Sequence, residues 1–174
     1  EWEMEGRNCE CGGMKPFSKI LKVKSLQLGD YVAIPRLDGR YVHARIYKGA
    51  VGIFSGRHDE PQSLERLLGK TPRKFYYYCS LPGGRYQKDW VFIGRVPFED
   101  AEAMWPPAMS TTDGIYKTKP QVYWKGGFMD VTEEELKGKQ PWIVHGFTSL
   151  QEIVSGTYKD PWKKLRRRRA DSPA

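Results

Sequence analysis

The strongest local candidate for acid–base or metal chemistry is the triplet His58-Asp59-Glu60. An imidazole beside two carboxylates can activate water or bind a metal ion when these side chains face a cleft. This triplet lies in a segment rich in Gly and Pro, which is typical of a solvated loop. A metal-dependent hydrolase is therefore the weakest of the three functional hypotheses for this chain.

The cysteines do not complete a metal site. Cys9 and Cys11 are close in sequence, but a structural zinc site needs about four ligands, and Cys79 and the histidines lack ligand spacing. A disulfide between Cys9 and Cys11 would be strained. The sequence also lacks G-x-S-x-G, H-E-x-x-H, Walker and C-x-x-C motifs. We expect reduced thiols, no metal, no cofactor and a function without catalysis.

Positive charge is concentrated at the C-terminal end. The net charge is +8, and residues 159–174 contain seven cations and two anions, so the preceding 158 residues carry only +3. Such a run can bind phosphates or act as a nuclear import signal, although a disordered, solvated terminus is more common. The run consists of Lys163, Lys164, Arg166, Arg167, Arg168 and Arg169. We expect any contact with nucleic acid to be made through this tail.

A predicted hairpin over residues 28–49 carries the candidate contact side chains. Apolar and polar residues alternate on both sides of Asp38-Gly39, a pair that favours a tight turn. The small aliphatic residues of the returning strand, residues 40–47, are expected in the core. Its opposite face is expected to meet solvent or a partner, and it carries Tyr41, His43, Arg45 and Tyr47. These aromatic residues and the basic tail support the alternative of a small β-rich nucleic-acid-binding module.

The remaining pattern predicts an α+β fold. Further strands are predicted at residues 26–34, 74–80, 90–96, 122–130 (as a small hairpin) and 142–147, and residues 50–62 are expected to form a short strand and a loop. Short helices are predicted at 63–68 and 99–104 and after the capping boxes that begin at Thr132 and Thr148. The strand at 90–96 is apolar on both faces, which predicts a central position. We expect a bent, mainly antiparallel sheet with two to four short helices, with closure into a small barrel as the alternative.

Composition supports one folded domain. Hydrophobic residues make up 39% of the chain and aromatic residues 13%, which is sufficient for a core. We expect a mobile lead-in at 1–16, a single domain at 17–158 and a disordered basic tail at 159–174. There is no apolar run of membrane-spanning length and no secretory signal pattern, so we expect no membrane partner and a cytoplasmic location.

Two ordered groups of motifs carry a family resemblance. The first group reads G-D-x-x-x-I-P, then D-G-x-Y and a small residue before Arg; the second reads W-x-x-I-G-x-x-P-F, followed by W-P-P. The matching positions are Gly29, Asp30, Ile34, Pro35, Asp38, Gly39, Tyr41, Ala44, Arg45, Trp90, Ile93, Gly94, Pro97, Phe98, Trp105, Pro106 and Pro107. Over residues 25 to 155 the chain resembles the immunity protein 26 family of bacterial polymorphic toxin systems.

This resemblance implies a non-enzymatic protein that binds a cognate toxin domain and blocks it. The expected contact surface is the polar face of the hairpin together with an acidic group, Glu99, Asp100 and Glu102; an alternative acidic group is Asp130 with Glu133, Glu134 and Glu135. Many immunity proteins against nucleases are acidic, whereas this chain is mildly basic. The target is therefore expected to be an acidic or neutral toxin, or to meet only a local acidic patch. The basic tail lies outside the resemblance.

Overall fold

The computed structural model describes residues 26–78, 89–111, 119–142, 144–145 and 147–159. The predicted lead-in, the basic tail from residue 160 and all three cysteines lie outside these ranges. The described strands are β1 (Asp30–Pro35), β2 (Tyr41–Tyr47), β3 (Ala50–Ile53), β4 (Lys74–Tyr78), β5 (Val91–Arg95), β6 (Met109–Ser110), β7 (Gln121–Trp124), β8 (Gly127–Asp130) and β9 (Val144–His145). The helices are α1 (Leu64–Leu67), α2 (Glu133–Leu136) and α3 (Phe147–Ser155).

The strands form two sheets. The larger sheet has the order β5-β1-β2-β3-β4-β9, and the smaller sheet has the order β6-β7-β8. All neighbouring strands are antiparallel except β4 and β9, which are parallel. The α+β prediction is confirmed. The larger sheet is open, with β5 and β9 at its two edges, so the barrel alternative is wrong.

Turn residues predicted from the sequence lie where the chain reverses. Gly39, in the loop between β1 and β2, has φ +81°, a left-handed conformation that glycine adopts without steric cost. The turn between β7 and β8 places Lys125 at φ 48° and Gly126 at φ 84°. Both predicted hairpins are therefore confirmed.

The two faces of β2 are both covered. Val42, Ala44 and Ile46 belong to the main core, as predicted, and Trp90 and residues of α3 are part of the same cluster. The opposite face is also largely buried, since His43 is 1% and Tyr47 8% exposed. The expectation that this face meets solvent is wrong for these two side chains. Other parts of the fold cover both side chains: His58 and Gln62 contact His43, and the segments that include Phe75 and Phe98 pack against Tyr47.

Two predictions for residues 90–104 are also wrong. Strand β5 lies at an edge of the sheet, not at its centre, and its apolar residues are only half-buried. Residues 101–104 form a turn in place of a helix. The Asp100 carboxylate accepts hydrogen bonds from the backbone N–H groups of Glu102 and Ala103, each at 2.8 Å. A side chain that binds the backbone locally in this way favours a turn, and the prolines at 106 and 107 prevent a longer helix.

The capping box at Thr132 is confirmed. The Glu135 N–H donates to the Thr132 hydroxyl, and the Thr132 N–H donates to the Glu135 carboxylate at 2.7 Å. The hydrogen bonds that the Thr132 N–H and hydroxyl donate to the Glu135 carboxylate hold the pKa of this carboxyl below its usual range. Helix α3 starts at Phe147, so Thr148 lies inside the helix and is not its N-cap. No helix in the described ranges is long and apolar enough to cross a membrane.

Candidate functional site

One cavity joins the two regions predicted to contact a partner. It has a volume of about 430 Å³. Its lining residues are Tyr31, Arg45, Tyr47, Leu68, Gly69, Val96, Pro97, Phe98, Glu99 and Ala103. We call this cavity the Arg45 pocket. Arg45 and Tyr47 come from the hairpin and Glu99 from the acidic group, so the fold brings together residues that are far apart in sequence.

Gly29 allows the segment after β5 to reach the hairpin. It has φ +84°, and a Cβ atom at this position would lie 2.3 Å from the Val96 carbonyl oxygen. The Gly29 N–H donates to the Ile46 carbonyl at 2.9 Å, and its own carbonyl accepts from the Val96 N–H at 3.1 Å. This close approach places Pro97 and Phe98 beside β2, where they form one wall of the pocket.

The Arg45 guanidinium is held among three aromatic rings. Its Cζ atom lies 3.9 Å from the ring centroid of Phe98, 5.2 Å from that of Tyr31 and 5.8 Å from that of Tyr47. Its Nη2 atom donates to the Val96 carbonyl at 3.0 Å. Its Nε atom is buried and has no hydrogen-bond partner in the described part of the chain. The site therefore contains an oriented cation with unused donor capacity.

Tyr47 separates the Arg45 pocket from a second cavity of about 630 Å³, because its side chain lines both. Burial raises the pKa of Tyr47, and the positive charge of Arg45 opposes this shift in part. The hydroxyl therefore stays protonated at neutral pH and can act as a neutral hydrogen-bonding group. The second cavity has Lys139 and Arg73 among its lining residues.

Of the predicted acidic contact residues Glu99, Asp100 and Glu102, only some are free to interact with a ligand in the pocket. Glu99 lines the pocket and is exposed, and the Asp100 carboxylate is used by the backbone of its own turn. Glu102 forms an ion pair with Lys125 in the smaller sheet. Glu99 is thus the acidic residue of this group that can affect a ligand in the pocket. The alternative acidic residues, Asp130 and those of α2, lie on the smaller sheet and the helix that follows it, and they do not line the Arg45 pocket.

The other two predicted hairpin contacts lie away from this pocket. Tyr41 forms a backbone bridge with His58, through N–H to carbonyl bonds of 2.7 and 3.0 Å. The His43 ring lies edge-on to the His58 ring at 4.9 Å, and its Nε2 atom accepts the Gln62 N–H at 2.8 Å. Burial lowers the pKa of His43 to about 4, and the nearby His58 and Lys70 add to this shift. His43 is therefore a neutral, buried acceptor that a partner cannot contact directly.

The candidate metal-binding triplet is divided between two environments. His58 is half-buried against His43, whereas Asp59 and Glu60 are exposed. Across the described ranges, no group of three or more His, Cys, Asp or Glu side chains is arranged to hold a metal ion.

Sequence reasoning missed Tyr31 and Phe98 as parts of the site. In the hairpin register Tyr31 lies directly opposite Arg45, so counting outward from the Asp38-Gly39 turn could have placed them together. Phe98 ends the second motif, but its contact with Arg45 depends on the pairing of β1 with β5, which no local pattern indicates.

Comparisons with protein-family models, with curated proteins and with solved structures found no match to this chain.

Proposed function

We propose that this chain is a non-enzymatic immunity protein that binds and neutralises a cognate bacterial toxin domain in the cytoplasm. The observation that supports the proposal most directly is the Arg45 pocket, where Arg45, Tyr47 and Glu99 line one cavity. We propose the rim of this pocket, with the exposed Asp100 beside it, as the toxin-binding surface.

The chemistry of this surface suits recognition of a protein. Arginine is enriched among residues that dominate the affinity of protein–protein interfaces, and Arg45 is only half-buried. The pocket adds an exposed apolar residue, Leu68, which is 47% exposed. A cation and an anion at the same cavity can also reject partners with the wrong charge pattern. The pocket therefore offers both buried area and a basis for specificity.

Several residues that carry the family resemblance also build this pocket. Gly29 permits the close approach of Val96, Arg45 provides the cation and Phe98 stacks on it. This link between the resemblance and one surface is the reason for proposing binding at the pocket.

The proposal can be tested by searching the genes that neighbour the gene for this chain for a toxin domain and expressing the domain found there. Co-expression should protect cells from that toxin, and the purified proteins should form a 1:1 complex. Arg45→Gln should weaken the complex about 30-fold or more, because it removes a charged group from a desolvated contact. Lys139→Gln, a cation of the second cavity, is the matched control and should have little effect. A toxin domain that neither binds the chain nor is blocked by it would reject the proposal.

The alternative function is a β-rich nucleic-acid-binding module. It depends on the basic tail, residues 163–169, which lies outside the described residues, and on hairpin aromatic rings, of which Tyr47 is buried. Tight polynucleotide binding that falls steeply with salt and disappears on deletion of 159–174 would favour this alternative.

A further inference from the structure

We propose that the Arg45 pocket is a carboxylate receptor, in which the Arg45 guanidinium binds one carboxylate group of the partner. The assignment of that carboxylate to a toxin rests on the proposed function above. The anion site itself does not, and it can be tested on the isolated protein.

The first argument is that the guanidinium is already oriented. The bond from Nη2 to the Val96 carbonyl fixes one side of the group, and the Phe98 ring, whose centroid lies 3.9 Å from Cζ, restricts its movement. A planar guanidinium is the side chain that matches a carboxylate best, through two parallel N–H···O bonds. Because its orientation is set before binding, little side-chain entropy is lost when a ligand arrives.

The second argument is that this cation lacks the carboxylate partner that three other arginines have. Arg36 and Arg40 both pair with Asp38, and Arg95 pairs with Asp30 at 2.5 Å. In the described ranges the ion pairs within 4.0 Å do not include Arg45. Its buried Nε–H group is also unpaired. A buried donor without an acceptor is destabilising, and an incoming carboxylate oxygen would remove this cost.

The third argument concerns size and access. A cavity of about 430 Å³ lies within the range of roughly 300–1,000 Å³ that is usual for ligand sites. Nε itself has almost no accessible surface, so a ligand that reaches it must displace a lining side chain. Leu68 and Glu99 are exposed lining residues and are the least restrained by packing. Glu99 carries the same charge as the ligand, so it should weaken carboxylate binding and act as a selectivity element.

The anion site can be tested by NMR on the isolated wild-type protein. Acetate is the probe, and its neutral analogue acetamide is the control. The Arg45 Nε–H resonance should shift with a saturating dependence on acetate and should not respond to acetamide. The Nε–H resonance of Arg36, which already pairs with Asp38 at 3.0 Å, should move much less. An Arg45 resonance that does not move, or that moves linearly and together with Arg36, would overturn the inference.

A variant at Glu99 keeps the test independent of any folding defect in Arg45 variants. Glu99→Gln should bind acetate about two- to fivefold more tightly, as expected when one nearby exposed like charge is removed. Glu133→Gln changes an exposed carboxylate on α2 that does not line the pocket, and it should leave the affinity unchanged. Equal affinities for wild type and Glu99→Gln would contradict the selectivity role given to Glu99.

The source of the carboxylate can be determined with the toxin domain. Extension of the toxin's C-terminus should abolish binding if the group is its terminal carboxylate, and should have no effect if it is an Asp or Glu side chain. In the second case, one Asp→Asn or Glu→Gln change in the toxin should match the loss caused by Arg45→Gln, and the double variant should lose no more. A toxin complex that forms equally well with Arg45→Gln would overturn the carboxylate inference and the pocket as the binding surface, whereas the binding and neutralisation of a toxin would still stand.

Discussion

Gly29 is the residue on which the arrangement of the Arg45 pocket depends most. Its positive φ and the 2.3 Å approach to the Val96 carbonyl mean that a methyl group at this position would collide with backbone. Gly29→Ala should therefore lower the free energy of unfolding by more than about 3 kcal/mol, because backbone cannot move aside cheaply. Urea denaturation measures this loss.

Gly39→Ala is the matched control for that change. Gly39 has φ +81°, close to that of Gly29, but a Cβ atom at Gly39 meets nothing within 4 Å. Its substitution should cost only the conformational strain, about 1 kcal/mol. Similar losses for the two variants would mean that φ alone, and not the contact with Val96, determines the cost at Gly29.

The buried His43 ring should make stability depend on pH. In the unfolded chain a histidine has a pKa of about 6.5, whereas the pKa of folded His43 is about 4. As the pH falls through this interval, the unfolded state binds a proton that the folded state does not, so stability is complete above about pH 6.5 and is lost towards about pH 4. Between about pH 6.5 and about pH 5 the loss from this group should be about 1.5 kcal/mol.

His43→Gln provides the comparison, because a glutamine carbonyl can still accept the Gln62 N–H and does not titrate. Urea denaturation at the two pH values should show a smaller loss of stability for the variant than for the wild type. The same pH dependence in both proteins would place the proton uptake at another group.

The sequence pattern of β2 predicted one face correctly and the other incorrectly. Val42, Ala44 and Ile46 are apolar and alternate, so their burial follows from the pattern alone. His43 and Tyr47 are amphipathic, and such side chains are buried or exposed according to what packs over them. Here His58 and Gln62 cover His43, and Phe75 and Phe98 cover Tyr47; all four come from later parts of the chain. The identity of the covering elements is not encoded in β2 itself.

At the scale of elements, Arg36 connects the first hairpin to α3. Its guanidinium donates to the carbonyl oxygens of Val154 and Ser155, at the C-terminal end of α3, and pairs with Asp38. It is 7% exposed, so these bonds are largely shielded from water. Arg36→Met should therefore lower the free energy of unfolding by about 2–4 kcal/mol and increase hydrogen exchange in α3, because helix carbonyls lose a charged donor.

Arg40→Met is the control for the Arg36 contact with α3. Arg40 pairs with the same Asp38 carboxylate, but its side chain is 43% exposed and has no bond to α3 among the described residues. An exposed ion pair of this kind is worth less than about 1 kcal/mol. If both variants lost the same stability and α3 exchange stayed unchanged, the Asp38 pairing would be the important contact and not the helix carbonyls.

Local sequence patterns gave correct predictions mainly for elements whose stabilising hydrogen bonds and backbone conformations involve only residues close in sequence. The turn at Gly126 and the capping box at Thr132 need no distant partner, and both were predicted. The prediction of a helix at 99–104 was wrong, because the Asp100 side chain accepts hydrogen bonds from the N–H groups of Glu102 and Ala103 and so favours a turn. The edge position of β5 could not be predicted either, since α1 covers its apolar residues only partly and a central strand would show the same pattern.

At the scale of the whole molecule, the division into two sheets was not predicted. The sequence predicts the hairpin at 122–130. It does not show that this hairpin pairs with β6 in a separate sheet and not with a strand of the larger sheet. Residues 140–142 connect the smaller sheet to the rest of the fold. The Ser110 N–H in β6 donates to the Gln140 carbonyl at 2.9 Å, and the Trp142 N–H donates to the Ser110 carbonyl at 2.6 Å. A single glutamine in a loop gives no periodic signal for such a role.

Gln140 should be the polar residue on which the contact between the sheets most depends. Its backbone pairs with β6, while its side-chain carbonyl accepts the Phe75 N–H of β4 at 2.9 Å and its amide donates to the Phe75 carbonyl. Gln140→Ala would leave both backbone groups of the buried Phe75 unpaired, so we expect a loss of about 2–3 kcal/mol in the free energy of unfolding, measured by urea denaturation.

Gln121→Ala is the control. Gln121 bonds to an exposed carboxylate, Asp130, so its substitution should lower the free energy of unfolding by less than about 0.5 kcal/mol. Equal stabilities of the Gln140 and Gln121 variants would show that apolar packing alone joins the two sheets.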